Sequence, residues 1–251
     1  MKTIAIVGTF DSKAEEFQFL KDIIESNGLK TLMIHSGIFP SKLKVDIDNK
    51  YIANSIGEDI EIIAKEKNRG KWTEVISKGL EKVIPELYSK GLFDGIISMG
   101  GTGGTSMTAP SFRKLPIGVP KVIVSTVAGG DVSFYVKSSD LIMVPSITDV
   151  AGLNGISNII FENAANMLSG MVKFKKDHLE NKHKKTIAAT MFGLTTPCVE
   201  HARKILESKD YEVLVFHATG SGGKSMEKLI EDSHIDAVLD ITTTEWCDEL
   251  F

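Results

Sequence analysis

The chain has 251 residues, 42% of them hydrophobic and 25% charged, with a formal net charge of -4. That balance fits an ordinary soluble globular protein and lacks the excess of basic residues that a duplex binder clusters on its surface, so direct nucleic-acid binding is disfavoured. Two cysteines, Cys198 and Cys247, stand far apart with no CxxC or Cys/His ligand spacing, which argues against a disulfide framework or a zinc site and for a reduced, cytoplasmic setting.

The amino terminus, "MKTIAIVGTFDSKAEEF", turns charged too early for a secretory signal. No apolar run approaches the ~18 residues of a membrane helix, so neither export nor membrane insertion is expected. The opening continues to "LKTLMIHS" as strand, loop, amphipathic helix and strand, with Phe17, Leu20, Ile23 and Ile24 on one helix face and Gly28 as the stop. Helices are predicted around "EDIEIIAKEKN" and "WTEVISKGLEKVIPELYSKG", then a strand "DGIISMG" that runs into the glycine stretch "GGTGGTS". Strands "PKVIVST" and "DLIMVPS" and a helix in "SNIIFENAANMLSGMVKF" follow. Short apolar strands alternating with helices predict an α/β fold of Rossmann-like type, a mainly parallel sheet covered on both faces.

The polar segment "KFKKDHLENKHKK" reads as a helix end plus interdomain linker. Asp177 and Glu180 interrupt its basic run and aromatics do not interleave it, so a nucleic-acid patch is the weaker reading. Beyond it, "KTIAATMFGLTTPCVEHARKILESKDYEVLVFHATG" repeats the plan of the amino terminus. Two α/β subdomains are expected, residues 1–180 and 181–251. The second stops after about three strands, before "TTTEWCDELF", whose last residues look like the start of a helix. It therefore reads as incomplete: a fragment, a shortened product, or half of a split protein whose missing half a partner chain supplies.

Two glycine loops compete for a ligand. "ATGSGGKS" satisfies a relaxed phosphate-loop pattern between a strand and a helix, and Asp240 in "DAVLD" mimics the carboxylate that would hold magnesium. Yet only 26 residues follow Ser225, too few for the rest of such a domain. A helix start that binds an anion with help from Lys224, or a plain turn, remain as alternatives. "GGTGGTS" spans Gly100, Gly101, Thr102, Gly103, Gly104, Thr105 and Ser106. It lacks a lysine but offers close backbone approach, hydroxyl donors and the amides of a helix start. Ligands of open α/β sheets bind at the carboxyl ends of the strands, where "GTFDSK", "HSGI" with Ser36, and "STVAGGD" with Ser125 and Thr126 are expected to converge.

At this point "IAIVGTFDSKAEEFQFLKD", "ISMGGTGGTSM", "PSITDVAGLNGISNIIFENAANMLSGM" and "VFHATGSGGKSMEKLI" together resemble the Tm-one-like ATP-binding family, along essentially the whole chain. The resemblance implies two α/β subdomains, ATP bound chiefly in the first with magnesium, and a homodimer. Carried over by motif, it places Thr9, Phe10 and Asp11 of "GTFD", Arg69, Gly70 and Lys71 of "NRGKW", and Gly100 to Ser106 at the nucleotide or its cleft. Members complete the second subdomain over roughly another 150 residues, a domain-sized remainder. In the family the lysine of "HATGSGGKSME" is often another residue, which weakens the phosphate-loop reading.

The remaining candidates keep two readings each. Asp11 could hold magnesium or a ribose hydroxyl, or cap a helix. Lys71 could neutralise phosphate or be solvated, and Asp131 and Asp149 could bind metal or cap helices. His35 and His217 end corresponding strands and could line the cleft, a structural role being the stronger reading, and Cys198 stands at a helix start that would stabilise a thiolate, with packing the stronger reading. No nucleophile, base and orienter form a set, so no reaction follows.

Overall fold

The computed structural model describes residues 1–66, 68–176 and 184–245. The chain divides into two compact units, Met1–Lys175 and Lys176–Phe251. Most of the polar linker segment, residues 177–183, and the last residues of "TTTEWCDELF" lie outside the described residues.

The first unit is a five-stranded sheet in the order β2-β1-β3-β4-β5, all parallel. Its strands are β1 (Thr3–Gly8), β2 (Lys30–His35), β3 (Gly95–Gly100), β4 (Lys121–Ser125) and β5 (Ile142–Pro145). Its helices are α1 (Ala14–Ser26), α2 (Asn49–Asn54), α3 (Ile60–Lys65), α4 (Arg69–Ser89), α5 (Thr102–Arg113), α6 (Ser133–Val136) and α7 (Gly155–Phe174). Alternate residues of each strand leave opposite faces of the sheet. Ala5, Val7, Ile96 and Ile123 accordingly join one core with Ile52, Ile76, Leu80 and Phe112 from α2, α4 and α5. Ile4, Ile6, Ile97, Val122 and Val124 join another with Phe17 and Leu20 of α1 and Phe161 and Leu168 of α7. Both faces are covered, which is why the central strands carry unbroken apolar runs.

Three local features depart from the expected elements. Helix α2 has no counterpart in the sequence reading; Asp48 starts it by accepting from the Tyr51 amide at 2.8 Å. The helix expected around residues 58–68 is only six residues long. Helix α4 begins three residues before the expected tryptophan, because the Asn68 side chain caps it by accepting from the Lys71 amide at 3.1 Å. That cap places Arg69, Gly70 and Lys71 in a first helical turn rather than in a loop.

The second unit holds β6 (Thr186–Met191), α8 (Thr196–Ser208), β7 (Glu212–His217), α9 (Ser221–Glu231) and β8 (Ala237–Leu239). Its parallel sheet runs β7-β6-β8, matching the three strands expected. Among the described residues its core cluster contains three buried residues, Ala189, Val199 and Val213.

Candidate functional site in the first unit

In the order β2-β1-β3 the chain winds outward to β2 on one side of β1 and to β3 on the other, so the strand order reverses between β1 and β3. Open α/β sheets bind ligands at such a switch point, beyond the carboxyl ends of the strands. A cleft of about 390 Å³ lies there. The register builds it: Gly8 stands beside His35, and Val7 beside Ser98. The Ser36 amide then donates to the Gly8 carbonyl at 2.8 Å, carrying the β2 end along.

The floor is the turn from β3 into α5. Gly101 is the N-cap of α5 and no side chain caps the helix. The Thr105 amide makes the first helical bond, to the Gly101 carbonyl at 3.0 Å, so the amides of Thr102, Gly103 and Gly104 are the orphan donors of the helix start. Gly100 to Gly104 all line the cleft. None of these glycines has a positive φ. A Cβ would meet only ordinary contacts at Gly100, Gly101 and Gly104, and would come 3.2 Å from Arg69 Nη2 at Gly103. Neither backbone strain nor crowding by the fold therefore requires glycine here; the missing side chains leave room over the amides.

The walls supply charge and hydroxyls. Thr9, Ser12 and Lys13 come from the turn after β1, Arg69, Trp72 and Thr73 from the start of α4, and Asp149 from the loop after β5. Ser36 Oγ and Trp72 Nε1, both on cleft-lining residues, are buried with no hydrogen-bond partner among the described residues. Buried polar groups are nearly always paired in native structures, so two orphans on one cleft mark a place where a polar ligand or water completes the bonding. Lys13 Nζ donates to the Val150 carbonyl.

Of the residues expected at the nucleotide, Thr9, Ser36, Arg69, Gly100, Gly101, Thr102, Gly103 and Gly104 line this cleft; the others stand outside its lining. Phe10 is fully buried, edge-on to Phe17 and stacked on His35. Asp11 Oδ2 accepts from the Phe39 amide at 3.1 Å and so pins the loop after β2. Gly70 lies in the first turn of α4. Lys71 turns to Glu66, 2.7 Å away, and that carboxylate raises its pKa above the ordinary lysine value. Thr105 Oγ1 donates to the Gly101 carbonyl and sits 2.6 Å from Ser125 Oγ, which accepts from the Val127 amide. With its own proton spent on Gly101, Thr105 receives that of Ser125, and the two hydroxyls tie the helix start to β4. Ser106 is half-buried in α5, and Thr126 is exposed beside Gly101.

His35 bears out its structural reading: Nδ1 accepts from the Phe10 amide at 3.2 Å and Nε2 faces the Phe39 carbonyl at 2.8 Å. Asp131 accepts from the Ser133 amide at 2.9 Å, which holds its carboxyl below the ordinary range. Lys13, Ser12, Ser98, Trp72, Thr73 and Thr108 line the cleft without having been singled out. Lys13 was legible as the last residue of "GTFDSK"; the α4 residues became cleft residues only through the folded position of that helix.

The rival loop in the second unit is occupied by the chain itself. Glu245 Oε1 accepts from the Gly220 amide and, at 3.3 Å, from the Gly223 amide at the start of α9. Here glycine is required by structure: Gly220 has φ +98°, and a Cβ at Gly222 would lie 1.9 Å from the His217 carbonyl oxygen. Lys224 is exposed, and Asp240 accepts from Thr190 Oγ1 at 2.8 Å. Among the described residues no group of three or more His, Cys, Asp or Glu side chains could hold a metal ion, and no helix is long and apolar enough to cross a membrane.

Comparison with known proteins bears on the whole chain. Residues 2–177 match the N-terminal domain model of the uncharacterised protein family UPF0261, and residues 184–251 match its C-terminal domain model. A UPF0261 protein of Clostridium tetani is 49% identical over 99% of this chain and 62% of its own length. The ToMV resistance protein Tm-1(GCR237) of Solanum lycopersicum is 36% identical over 96% of this chain and 35% of its own length. The chain thus spans less than two thirds of the length of these relatives. Among solved structures, the UDP-GlcNAc 2-epimerase of Methanocaldococcus jannaschii in complex with UDP-GlcNAc and UDP superposes over 99% of this chain and 76% of its own. It does so with a TM-score of 0.35 at 14% identity, too loosely to bear on the chemistry.

Proposed function

We propose that this chain, which belongs to the UPF0261 family, binds a nucleotide polyphosphate, ATP being the type ligand, in the switch-point cleft of its first unit. The observation that carries the reading is the start of α5: uncapped amides under glycines that neither strain nor packing requires, opening into a cleft flanked by the cations Lys13 and Arg69. The orphan amides and the positive end of the helix macrodipole favour an anion there, and phosphate suits the surrounding hydroxyls. Lys13, Arg69 and the α5 amides would hold the phosphates, while Ser36 and Trp72 offer unpaired polar atoms to the rest of the ligand. Magnesium, when bound with the nucleotide, would neutralise part of the phosphate charge.

Isothermal titration with ATP, ADP, AMP and adenosine tests the reading. Affinity is expected to climb with phosphate number and to fall with salt. Arg69→Ala, which removes an exposed cation from the lining, is expected to weaken ATP about tenfold or more, the worth of one charge-assisted contact. Adenosine binding as tightly as ATP would sink the anion-site reading.

A further inference from the structure

We propose that the first unit carries a second ligand site, apart from the switch-point cleft, which takes a small carboxylate with an apolar body. The site is a cavity of about 650 Å³ between the loop that follows β2 and the helices α2 and α3, within the volume range of pockets that bury small molecules. It shares no lining residue with the cleft. Its place follows from a sheet edge. Strand β2 is an outer strand, and the chain folds back along it, Ile47 pairing with Ile34. The hollow lies between this returning segment and α3.

The walls call for an apolar body. Ile38, Phe39, Pro40, Leu43, Val45 and Ile60 supply them, while the polar groups of the lining are largely spent inside the fold. His35 has both ring nitrogens engaged, by the Phe10 amide and the Phe39 carbonyl. Ser41 Oγ exchanges bonds with the Leu43 backbone at 2.9 and 3.0 Å, and Asn49 Nδ2 donates to the Gly37 carbonyl at 2.7 Å. A ligand body gains little there from hydrogen bonds and most from burial. Phe39 is the clearest sign of an occupant. Its side of the cavity is 61% exposed, although its backbone is held twice: the amide donates to Asp11 Oδ2 at 3.1 Å and the carbonyl accepts from His35 Nε2 at 2.8 Å. Pro40 then fixes the chain direction. A loop fastened in this way cannot carry the ring into the core; it holds an aromatic surface at the mouth of an apolar cavity.

The charges around the mouth select a carboxylate. The acids of the lining and of the segment that borders it are tied: Asp46 accepts from the Met33 amide at 2.7 Å, Asp48 from the Tyr51 amide at 2.8 Å, and Glu61 pairs with Lys50. Lys65, in the last turn of α3, lines the cavity, is exposed, and makes no ion pair or hydrogen bond among the described residues. Lys42 and Lys44, exposed on either side of Leu43, likewise have no ion pair among them. The cations are thus left to a ligand while the acids are not. A carboxylate at the rim would meet Lys65 and stay partly hydrated, and its apolar body would fill the space between Phe39 and Ile60.

Isothermal titration with three probes of one body and different heads tests the proposal: α-naphthaleneacetate, the matching alcohol α-naphthaleneethanol and the matching amine α-naphthaleneethylamine. The acetate is expected to saturate one site per chain, to bind more tightly than the alcohol, and to lose that advantage in high salt; the amine should bind most weakly. Lys65→Ala is expected to weaken the acetate about fivefold, the upper worth of a partly exposed ion pair, and to leave the alcohol unchanged. Phe39→Ala should weaken acetate and alcohol alike by about tenfold. Arg69→Ala, which acts on the cleft, should change neither. Acetate binding that is lost in Arg69→Ala, or that Lys65→Ala and Phe39→Ala leave intact, lies elsewhere and overturns the site, while the nucleotide reading is decided by ATP alone. Alcohol or amine binding as tightly as the acetate overturns the carboxylate class, and no saturable binding by any probe overturns the proposal as a whole. Both substituted side chains are exposed, so circular dichroism melting is expected to match the wild type. Ala64→Phe, which fills the cavity from α3, is the second variant for the apolar wall and should abolish binding of acetate and alcohol together.

Discussion

At the residue scale, glycines that look alike in sequence differ in what they are for. Gly103 lies inside α5 with an ordinary φ, and the nearest obstacle to a Cβ is the movable end of Arg69 at 3.2 Å. Gly222 has the His217 carbonyl oxygen at 1.9 Å from the same notional atom, and a peptide carbonyl in a strand end cannot swing aside. Alanine at the two positions should therefore act with opposite sign. Gly103→Ala is expected to raise stability by about 0.5–1 kcal/mol, the usual gain of removing a helical glycine. Gly222→Ala is expected to cost about 1–3 kcal/mol, as overpacking does. Chemical denaturation gives both numbers. The same Gly103→Ala chain, though more stable, should bind ATP several-fold less tightly because the methyl displaces Arg69 and enters the space over the amides. Unchanged affinity in a stabilised variant would show that the space is not the ligand's.

At the scale of elements, α5 and α9 start from similar glycine-rich words and end with different occupants. The start of α9 is satisfied by Glu245, whose carboxylate takes the Gly220 and Gly223 amides while Thr244 Oγ1 donates to the Ala218 carbonyl at 3.1 Å. Hydrogen bonds to a charged group are worth about 1.5–3 kcal/mol each, less when half-exposed as here. Glu245→Ala should thus lower the melting of the second unit, and Lys224→Ala should leave ATP affinity untouched. ATP binding that depends on Lys224 would reverse the ranking of the two loops. The parallel α/β class and the convergence of the β1, β2 and β3 turns were legible in the sequence, because apolar runs and glycine turns are local signals. Occupancy by Glu245 was not, since it joins residues 22 and 25 apart through a fold contact. Nor was the place of Trp72: it packs against the core, as a tryptophan early in a long helix is expected to, and only the folded position of α4 brings it into the cleft lining as well. Phe10 and Asp11 share a motif with Thr9, yet the chain turns after Thr9, sending the phenyl ring into the core under α1 and the carboxylate to the β2 loop.

At the scale of the molecule, the two units have unequal means of staying folded. The first unit covers both faces of a five-stranded sheet, with 22 buried residues in one core cluster and 18 in the other among the described residues. Among the described residues, the second has a three-stranded sheet whose cluster holds three buried residues, and its outer strand β8 exposes Ala237 and Val238. Hydrophobic burial is the main favourable term in folding and small cores give marginal units, so each unit's own core sets where it melts. Calorimetry of the chain should show two transitions, the lower one belonging to residues 176–251 and sensitive to Glu245→Ala. ATP bound in the first unit adds about 2.7 kcal/mol at a concentration one hundred times Kd. For a unit of this size that raises the upper transition by roughly 5–10 °C. The lower transition should stay where it is, because the described residues that line the cleft belong to the first unit. A single transition that ATP shifts as a whole would mean that the two units share their stability, and a shift confined to the lower one would move the nucleotide to α9.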